Sequence, residues 1–338
     1  MIISKPIVGL NSILIGKRNI EEIYDASNQI KTNLELYIDL RSKRNPKTDI
    51  SGIWKVAHDN SDFDISEKDS LQKAIFLSKK YKRQIIAISL YCGACYNQDR
   101  EYGISSIKNA SKLLEISTDR GLILRLVGGN ARTEDEKNYA IETIAQWIKT
   151  SKEIYSRDSA KIIIGLELHQ GQWPQTIKEA LEIKSILKRK ISNEEYQLFG
   201  FIDDPTNRYI TLKNLEEFYR QNDKLNKLIE NIVYYHIKNV KRIGKDCSKD
   251  CSFQKAGDKF FNFDGYSFQW AEIVREGDLE LETIISNFLF NCKRKIIGFS
   301  TEYIQSTKNQ AEVIKVVNDY TSLIEKVYTK LTDGKNEI

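Results

Sequence analysis

Short runs of β-branched and apolar residues alternate along this chain with longer segments in which apolar positions recur every three or four residues. The short runs read as strands over 6–10, 34–40, 84–91, 122–128, 161–168, 197–203, 232–238 and 295–302. Helices are predicted between and after them over 19–30, 70–81, 104–117, 174–188, 212–228, 279–290 and 310–328, with one more after Thr133. There Thr133 and Glu136 have capping-box spacing, and Ala140, Ile141, Ile144, Ala145 and Ile148 fall on one face. Pro174 suits a first helical turn, where its missing N–H removes no bond.

Eight strands, each paired with a helix, predict an α/β chain of the (β/α)8 TIM-barrel type. The competing open, doubly wound sheet calls for a glycine-rich phosphate turn after the first strand, and GLNSILIG at 9–16 is a poor match for one. No linker, repeat or low-complexity tract interrupts the pattern. Residues 1–330 are therefore expected to form one barrel domain, with 331–338 as a C-terminal tail. Two connections are long, 41–67 and 239–277. Long βα loops lie at the C-terminal mouth of such a barrel and often cover the substrate.

Composition narrows the partners. A chain of 338 residues, 41% hydrophobic and 29% charged, can build one large core. The formal net charge of +5 comes from scattered Lys and Arg interspersed with Asp and Glu. That suits an anionic small molecule and predicts no nucleic-acid partner. No run approaches the ~20 apolar residues of a membrane span, and the first residues lack the order of a signal peptide. Five cysteines, an odd number, then read as reduced thiols in the cytoplasm. Cys92 and Cys95 follow the third strand, and Cys247 and Cys251 follow the seventh. Four thiolates would suit Zn2+ or an Fe–S cluster, but these strands are far apart around a barrel, so free thiols are the favoured reading.

Catalytic groups in this architecture sit at the C-terminal ends of strands. Those ends carry Glu35 and Asp39 on the second strand, Arg125 on the fourth, and Glu167 with His169 on the fifth. Asp203 and Asp204 end the sixth, His236 and Lys238 the seventh, and Glu302 the eighth. Four successive strands thus finish in a carboxylate or an imidazole. Two-residue spacing puts Glu167 and His169 on one side of their strand, and His236 and Lys238 likewise. Converging carboxylates repel one another and a divalent ion removes that penalty. Oxygen ligands with one imidazole suit Mn2+, Mg2+ or Co2+ ahead of Zn2+. Blander readings stand beside these. Glu35 and Asp39 read as structural pairs, and His58, beside Trp54, as a surface residue. Arg125 either binds substrate or phosphate or is salt-bridged in the mouth. His169 either bonds substrate or supports Glu167, and Lys238 either steadies an oxyanion or pairs with a carboxylate.

Five segments in order resemble the xylose isomerase-like barrels, which include sugar phosphate isomerases and epimerases and an endonuclease IV branch. GLELHQGQWPQT (165–176) is similar to the family's Glu-x-His-x-Gly segment, and DDPTN (203–207) to its Asp-Pro-Ser/Thr-Asn/His turn. YYHIKN (234–239) resembles its His-x-Lys-Asp strand, with Asn239 where Asp is usual. REGDLELETI (275–284) resembles the segment opening the last helix, and GFSTEY (298–303) the final strand ending in Glu. The resemblance implies a metal held by Glu167, Asp204, His236 and Glu302, with Asn207 on the substrate side. It also implies that Glu167 and Glu302 exchange protons on opposite faces of a metal-stabilised enediolate, in either order. Arg242, six residues after His236, has the spacing of an arginine that binds substrate oxygen in ketose 3-epimerases.

The function this implies is a metal-dependent isomerase or epimerase of a small-molecule substrate, a sugar or sugar derivative, phosphorylated or not. Its substrate-binding candidates are His169, Asn207, Lys238, Arg242 and Arg125. The runner-up is a metal-dependent dehydratase or lyase on a keto-polyol of the inosose type. An endonuclease IV-like phosphodiesterase needs many histidines, and this chain has only His58, His169 and His236. A barrel that binds without catalysis is the remaining class. FFNFDGYSF (260–268) suits either closure over substrate or a contact between two copies of the chain in a homo-oligomer.

Overall fold

The computed structural model of the chain describes residues 5–11, 19–37, 63–154, 161–244, 260–263, 266–271, 274–291, 298–301 and 310–333. Eight parallel strands close into a barrel: β1 (Val8–Asn11), β2 (Asn33–Tyr37), β3 (Ile85–Gly93), β4 (Leu122–Val127), β5 (Ile162–Glu167), β6 (Phe199–Asp203), β7 (Ile232–Ile237) and a last strand, Gly298–Thr301. Each pairs with its neighbour in this order, and the last strand closes the cylinder against β1, Gly9 facing Ser300. The architecture is the predicted (β/α)8 TIM barrel.

Helices α1 (Ile20–Ile30), α2 (Lys68–Tyr81), α3 (Asn97–Ala110), α4 (Glu134–Ile154) and α5 (Ile177–Lys190) follow β1 to β5 in turn. Their apolar faces bury Ile23, Leu77, Ile107, Ile144 and Ile183 in one continuous layer against the outside of the strands. The capping box before α4 forms as read, Thr133 Oγ1 accepting from the Glu136 amide at 3.2 Å and Glu136 Oε2 accepting from the Thr133 amide at 2.8 Å. Three helix readings need correction. Pro174 lies ahead of α5, not in its first turn, because Thr176 and Glu179 make the capping box that starts the helix. The single helix expected over 212–228 is instead three: α7 (Pro205–Leu212), α8 (Leu215–Arg220) and α9 (Asn222–Ile229), after the short α6 (Asn193–Tyr196). Lys213 ends α7 in the left-handed region at φ 58°, and Asn214 caps α8 by accepting from the Glu217 amide. The predicted 104–117 helix is α3 followed by a 3-10 turn over Ser111–Ile116.

The long connection after β7 holds a small antiparallel sheet of β8 (Val240–Gly244), β9 (Phe260–Phe263) and β10 (Tyr266–Trp270), with β10 in the middle. Helix α10 (Leu281–Asn291), the closing strand β11 (Gly298–Thr301) and α11 (Gln310–Asp333) complete the chain. Asn239 ties this connection down. Its Nδ2 donates to the Leu279 carbonyl at 2.9 Å, and its Oδ1 accepts from the Val240 and Leu279 amides at 3.0 and 3.2 Å. Only an amide can donate and accept in this way. That accounts for asparagine where the resembled pattern has aspartate.

Inside the barrel, alternation sorts the side chains. Ile123, Ile163, Ile202 and Tyr234 form a small apolar cluster separate from the main core. Two residues on from three of them stand Arg125, Asp204 and His236, and Glu167 stands four on from Ile163, so all share the inward face one or two steps nearer the mouth. Gly165 lies between Ile163 and Glu167. A Cβ there would stand 2.8 Å from Ile202 Cδ1 and 2.9 Å from Ile123 Cγ2, so glycine leaves room for the floor under Glu167.

Candidate metal centre

Glu167, Asp204 and His236 end β5, follow β6 and lie within β7, and each is fully buried. Each offers one ligand atom within 4.8 Å of the others. The structure thus brings together three of the four residues in the predicted set. The fourth, Glu302, lies outside the described residues, as do Asp39, His58, Cys247, Cys251 and Cys292.

Glu167 is divided between two sides. Its Oε2 accepts from Arg125 Nε at 2.8 Å and pairs with Nη2 at 2.6 Å. Its Oε1 faces His236 Nδ1 at 3.2 Å and Asn207 Nδ2 at 3.3 Å. Burial alone would push its carboxyl up. The charges of Arg125 and His169, with the bond and charge of His236, outweigh burial and hold it at about 2. Asp204 caps α7: its Oδ1 accepts from the Asn207 amide at 3.0 Å, and its Oδ2 pairs with Lys238 Nζ at 2.7 Å. The Lys238 ammonium also lies 5.7 Å from the centre of the Trp270 ring. Asp203, one residue earlier, points to the outer layer and binds Arg208, Nε to Oδ1 at 2.6 Å and Nη2 to Oδ2 at 3.1 Å. The structure therefore separates two neighbouring carboxylates that strand-end position alone cannot.

Of the residues read as substrate-binding, His169 is buried at the mouth with Nδ1 2.7 Å from the Gln170 carbonyl. A carbonyl only accepts, so Nδ1 carries a proton. Asn207 and Lys238 join the cluster. Arg125 is there too, with its guanidinium directed at Glu167, at Ser89 Oγ (3.2 Å) and at Glu35 Oε1 (3.6 Å). Arg242 does not join. It is exposed on β8, stacked 5.6 Å from the Tyr266 ring and donating to the Lys213 carbonyl. Cys92 is buried and Cys95 half-buried, and burial pushes the Cys95 thiol up to about 11, which keeps it protonated at neutral pH.

Glu35 is the group that strand-end reasoning underrated. It is fully buried on β2. Its Oε1 accepts from Ser89 Oγ at 2.5 Å. Its Oε2 accepts from Ser300 Oγ at 2.5 Å and Tyr234 Oη at 3.2 Å, and lies 3.3 Å from His236 Nε2. Burial would raise its pKa, and His236, Arg125 and Ser300 bring it below the usual carboxylate range. The available signal was a carboxylate on the inward phase of a strand, together with small hydroxyls on the inward phases of β3 and β11.

The cluster fits a divalent cation on its own chemistry. Two carboxylates and an imidazole converge within ligand distance, and the Asn207 Oδ1, buried beside them, has no hydrogen-bond partner among the described residues. A cavity of about 820 Å³ lies outside the barrel between α10 and α11 and contains none of these residues.

No family model and no curated protein matches the chain. Solved structures do. A xylose isomerase domain-containing protein from Salmonella typhimurium LT2 superposes with a TM-score of 0.61 at 14% identity, covering 96% of this chain and 99% of its own. A xylose isomerase-like TIM-barrel protein from Mycobacterium smegmatis, solved in complex with magnesium, gives 0.61 at 12% identity, covering 95% and 98%. A probable 3-DHS dehydratase, AsbF, involved in petrobactin synthesis in Bacillus anthracis, gives 0.59 at 13% identity, covering 93% and 98%. The chain has the fold of the xylose isomerase-like TIM barrels. No described helix is long and apolar enough to cross a membrane.

Proposed function

We propose that this chain is a divalent-metal-dependent isomerase or epimerase acting on a sugar or sugar derivative by proton transfer beside a carbonyl. Glu167, Asp204, His236 and Glu302 would hold the ion, with Mn2+ favoured over Mg2+, Co2+ and Zn2+. The observation that carries this reading is the convergence of Glu167, Asp204 and His236 at the mouth-facing ends of three successive strands. Ser300, two residues before Glu302, turns its hydroxyl into the barrel toward Glu35, which supports Glu302 as the fourth ligand. The three described carboxylates Glu35, Glu167 and Asp204 stand beside two cationic side chains, Arg125 and Lys238, and Glu302 as the fourth ligand would bring the carboxylates to four. The two negative charges left over match one divalent ion.

When bound, the ion supplies Lewis acidity that polarises a substrate carbonyl and acidifies the neighbouring C–H. The protein's own groups do the rest. Arg125 holds Glu167 Oε2, so only Oε1 is turned toward His236 and Asn207. Glu167 is ionised across the working range and accepts a proton only from a strongly acidified carbon. Glu302 returns a proton on the opposite face, or the two exchange roles. Lys238, locked beside Asp204, places a fixed positive charge near developing negative charge. The Asn207 Oδ1 accepts a bond from a substrate hydroxyl.

One observation favours a second reading, a dehydratase on a keto-polyol. The imidazole of His169 and the ammonium of Lys238 are both buried at the barrel mouth, the ammonium beside Asp204, so that His169 in its neutral form would take the first proton and Lys238 would steady a departing hydroxyl. A fold neighbour described as a probable 3-DHS dehydratase is consistent with it.

The test is a screen of keto- and aldo-sugars, their phosphates and inosose-type polyols with Mn2+, followed by solvent-deuterium incorporation. Exchange with a new stereoisomer or carbonyl position supports isomerisation, and exchange with loss of water supports the dehydratase. Glu302→Gln should abolish exchange while leaving the circular dichroism unchanged. Turnover that survives this substitution rules out the two-glutamate scheme.

A further inference from the structure

The segment REGDLELETI (275–284) has no part in the function proposed above, yet its aspartate joins two elements that flank the candidate metal centre. Asp278 Oδ2 accepts from Tyr209 Oη of α7 at 2.7 Å and from the Arg242 amide of β8 at 2.6 Å. The Asp278 amide donates to the Val240 carbonyl at 2.7 Å. Gly277 allows this close approach, since a Cβ there would stand 2.1 Å from Asn239 Cγ. Helix α7 has only eight residues, with Asp204 as its cap and Asn207 in its first turn. We infer that Asp278 is a positioning residue: it fastens α7, and with it Asp204 and Asn207, to the β8–β10 sheet. A cation at the centre then steadies the sheet, and loosening the sheet weakens the cation. The role rests on reading Glu167, Asp204 and His236 as the cation's ligands.

Other contacts draw the sheet to the same helix and the same ligand. Arg242 Nη1 donates to the carbonyl of Lys213, the residue that ends α7. The buried Tyr209 ring meets the Phe268 ring of β10 edge-on, 6.2 Å between centroids and 86° between planes. Trp270, the last residue of β10, places its ring 5.7 Å from Lys238 Nζ, whose partner is Asp204. Asp204 is thus reached from the sheet by two routes, one through α7 and one through Lys238. A helix of eight residues spans about 12 Å and its backbone bonds make it one piece, so a shift at Tyr209 or Lys213 is passed on to the Asp204 cap. Asp278 holds helix and strand through a single oxygen, and an ionised acceptor makes a stronger bond than a neutral one. Linkage between binding and order is reciprocal: if the cation orders the sheet, an ordered sheet raises the affinity for the cation by the same factor.

The experiment uses the full chain with Mn2+ alone. Amide hydrogen exchange is followed by mass spectrometry with and without the ion in peptides covering α7, β8 and β10, beside Mn2+ calorimetry. In the native chain the ion should slow exchange in all three. Tyr209→Phe removes one hydroxyl and keeps the ring. It should retain the slowing in α7, lose most of it in β8 and β10, and lower Mn2+ affinity about 3- to 10-fold. Asp278→Ala should do the same or more, and Asp278→Asn, whose amide oxygen can accept the same two bonds, should restore most of the native pattern. Tyr209→Phe serves if Asp278→Ala fails to fold. Tyr24→Phe is the control for a purely structural loss: its hydroxyl joins α1 to α2 through the Ala74 carbonyl at 3.1 Å, and its removal should leave both readouts unchanged. Exchange in β8 and β10 that ignores Mn2+ in the native chain overturns the inference while leaving the metal site standing. So do native slowing and affinities within about twofold in both Tyr209→Phe and Asp278→Ala. Failure of the native chain to bind Mn2+ overturns the site itself, and the coupling with it.

Discussion

Asp203 and Asp204 are adjacent in the chain, yet the structure gives them separate tasks, and substituting around each tests the placement of the whole centre. Asp203 and Arg208 form a two-point ion pair in the outer layer, 0% and 2% exposed, with the guanidinium 4.7 Å from the centre of the Phe218 ring. Arg208→Met keeps most of the volume and leaves the Asp203 carboxylate buried without its cation. Breaking a buried pair from one side costs about 3–5 kcal/mol. Unfolding entropy for a chain of this length is roughly 0.7 kcal/mol per kelvin, so the melting temperature should fall by about 4–7 °C. Adding Asp203→Asn removes the stranded charge and should recover a large part of the loss. The exposed pair of Lys326 with Glu282, 3.4 Å apart, is the control: Lys326→Met should cost less than about 1 kcal/mol. The assay is thermal and urea unfolding by circular dichroism in chelator-treated buffer, with Mn2+ calorimetry on the same samples. Arg208→Met should bind Mn2+ as the native chain does, whereas Asp204→Asn should lose binding. Stability is not a clean readout for the latter, because it also strips Lys238 of its partner. A loss below about 1 kcal/mol in Arg208→Met, or Mn2+ binding that depends on Asp203 and not Asp204, would mean that the two carboxylates face the opposite way.

Three further outcomes follow from the same geometry. At 100 times its dissociation constant, Mn2+ should stabilise the chain by about 2.7 kcal/mol, a rise of about 4 °C that Asp204→Asn lacks. A chelator should remove that increment without unfolding the barrel, and collapse on chelation would refute the idea that Arg125 and Lys238 hold the metal-free site together. Gly128→Ala places a Cβ 1.9 Å from the Trp173 carbonyl oxygen, a backbone atom that no rotamer change moves. It should cost at least about 1–3 kcal/mol and alter tryptophan fluorescence, and an unchanged melting curve would show that the 169–174 loop yields freely. For pH, the Glu167 carboxyl at about 2 lies below its ordinary 4.5, so the folded state binds fewer protons than the unfolded between those values. Its stabilisation is complete above about 4.5 and is lost as pH falls toward 2. Metal-free Glu167→Gln should therefore show a flatter stability profile across that window, and profiles parallel to the native one would count against the buried charge cluster.

Much of the fold was readable because its determinants are local. Eight strand–helix alternations, the Thr133–Glu136 box and the apolar face from Ala140 to Ile148 all lie within short spans of chain. The helix boundaries that differ from expectation are set locally too, and each carries a signal in the sequence. Asn214 with Glu217 has the spacing of a helix start and breaks the long 212–228 segment, and Thr176 with Glu179 does the same just beyond Pro174. Strand-end position found Glu167, His236 and Lys238 because inward residues recur every second position and the last of them lie at the mouth. It could not choose between Asp203 and Asp204, since that depends on where β6 ends. The structure ends it at Asp203, so that Asp204 becomes the cap of α7 and turns inward.

Glu35 and Arg125 were harder to interpret for a different reason. Their meaning depends on closure. In the order of strands around the barrel, β1 and β11 separate β2 from β7, so Glu35 reaches His236 across the interior and not along the sheet. No spacing in the chain encodes that distance. It appears only once the cylinder has closed and its floor of Ile123, Ile163, Ile202 and Tyr234 has filled the space beneath. The same closure explains why Arg125 serves the protein before it can serve a substrate. At 2% exposure, an arginine on the inward phase of β4 must find carboxylates, and it finds one on each side, Glu167 and Glu35. The arrangement sets one oxygen of Glu167 aside for the arginine and leaves the other facing His236 and Asn207. A residue that looks from sequence like a substrate-binding cation thus shapes the ligand set, by deciding which oxygen of Glu167 is left for a metal ion.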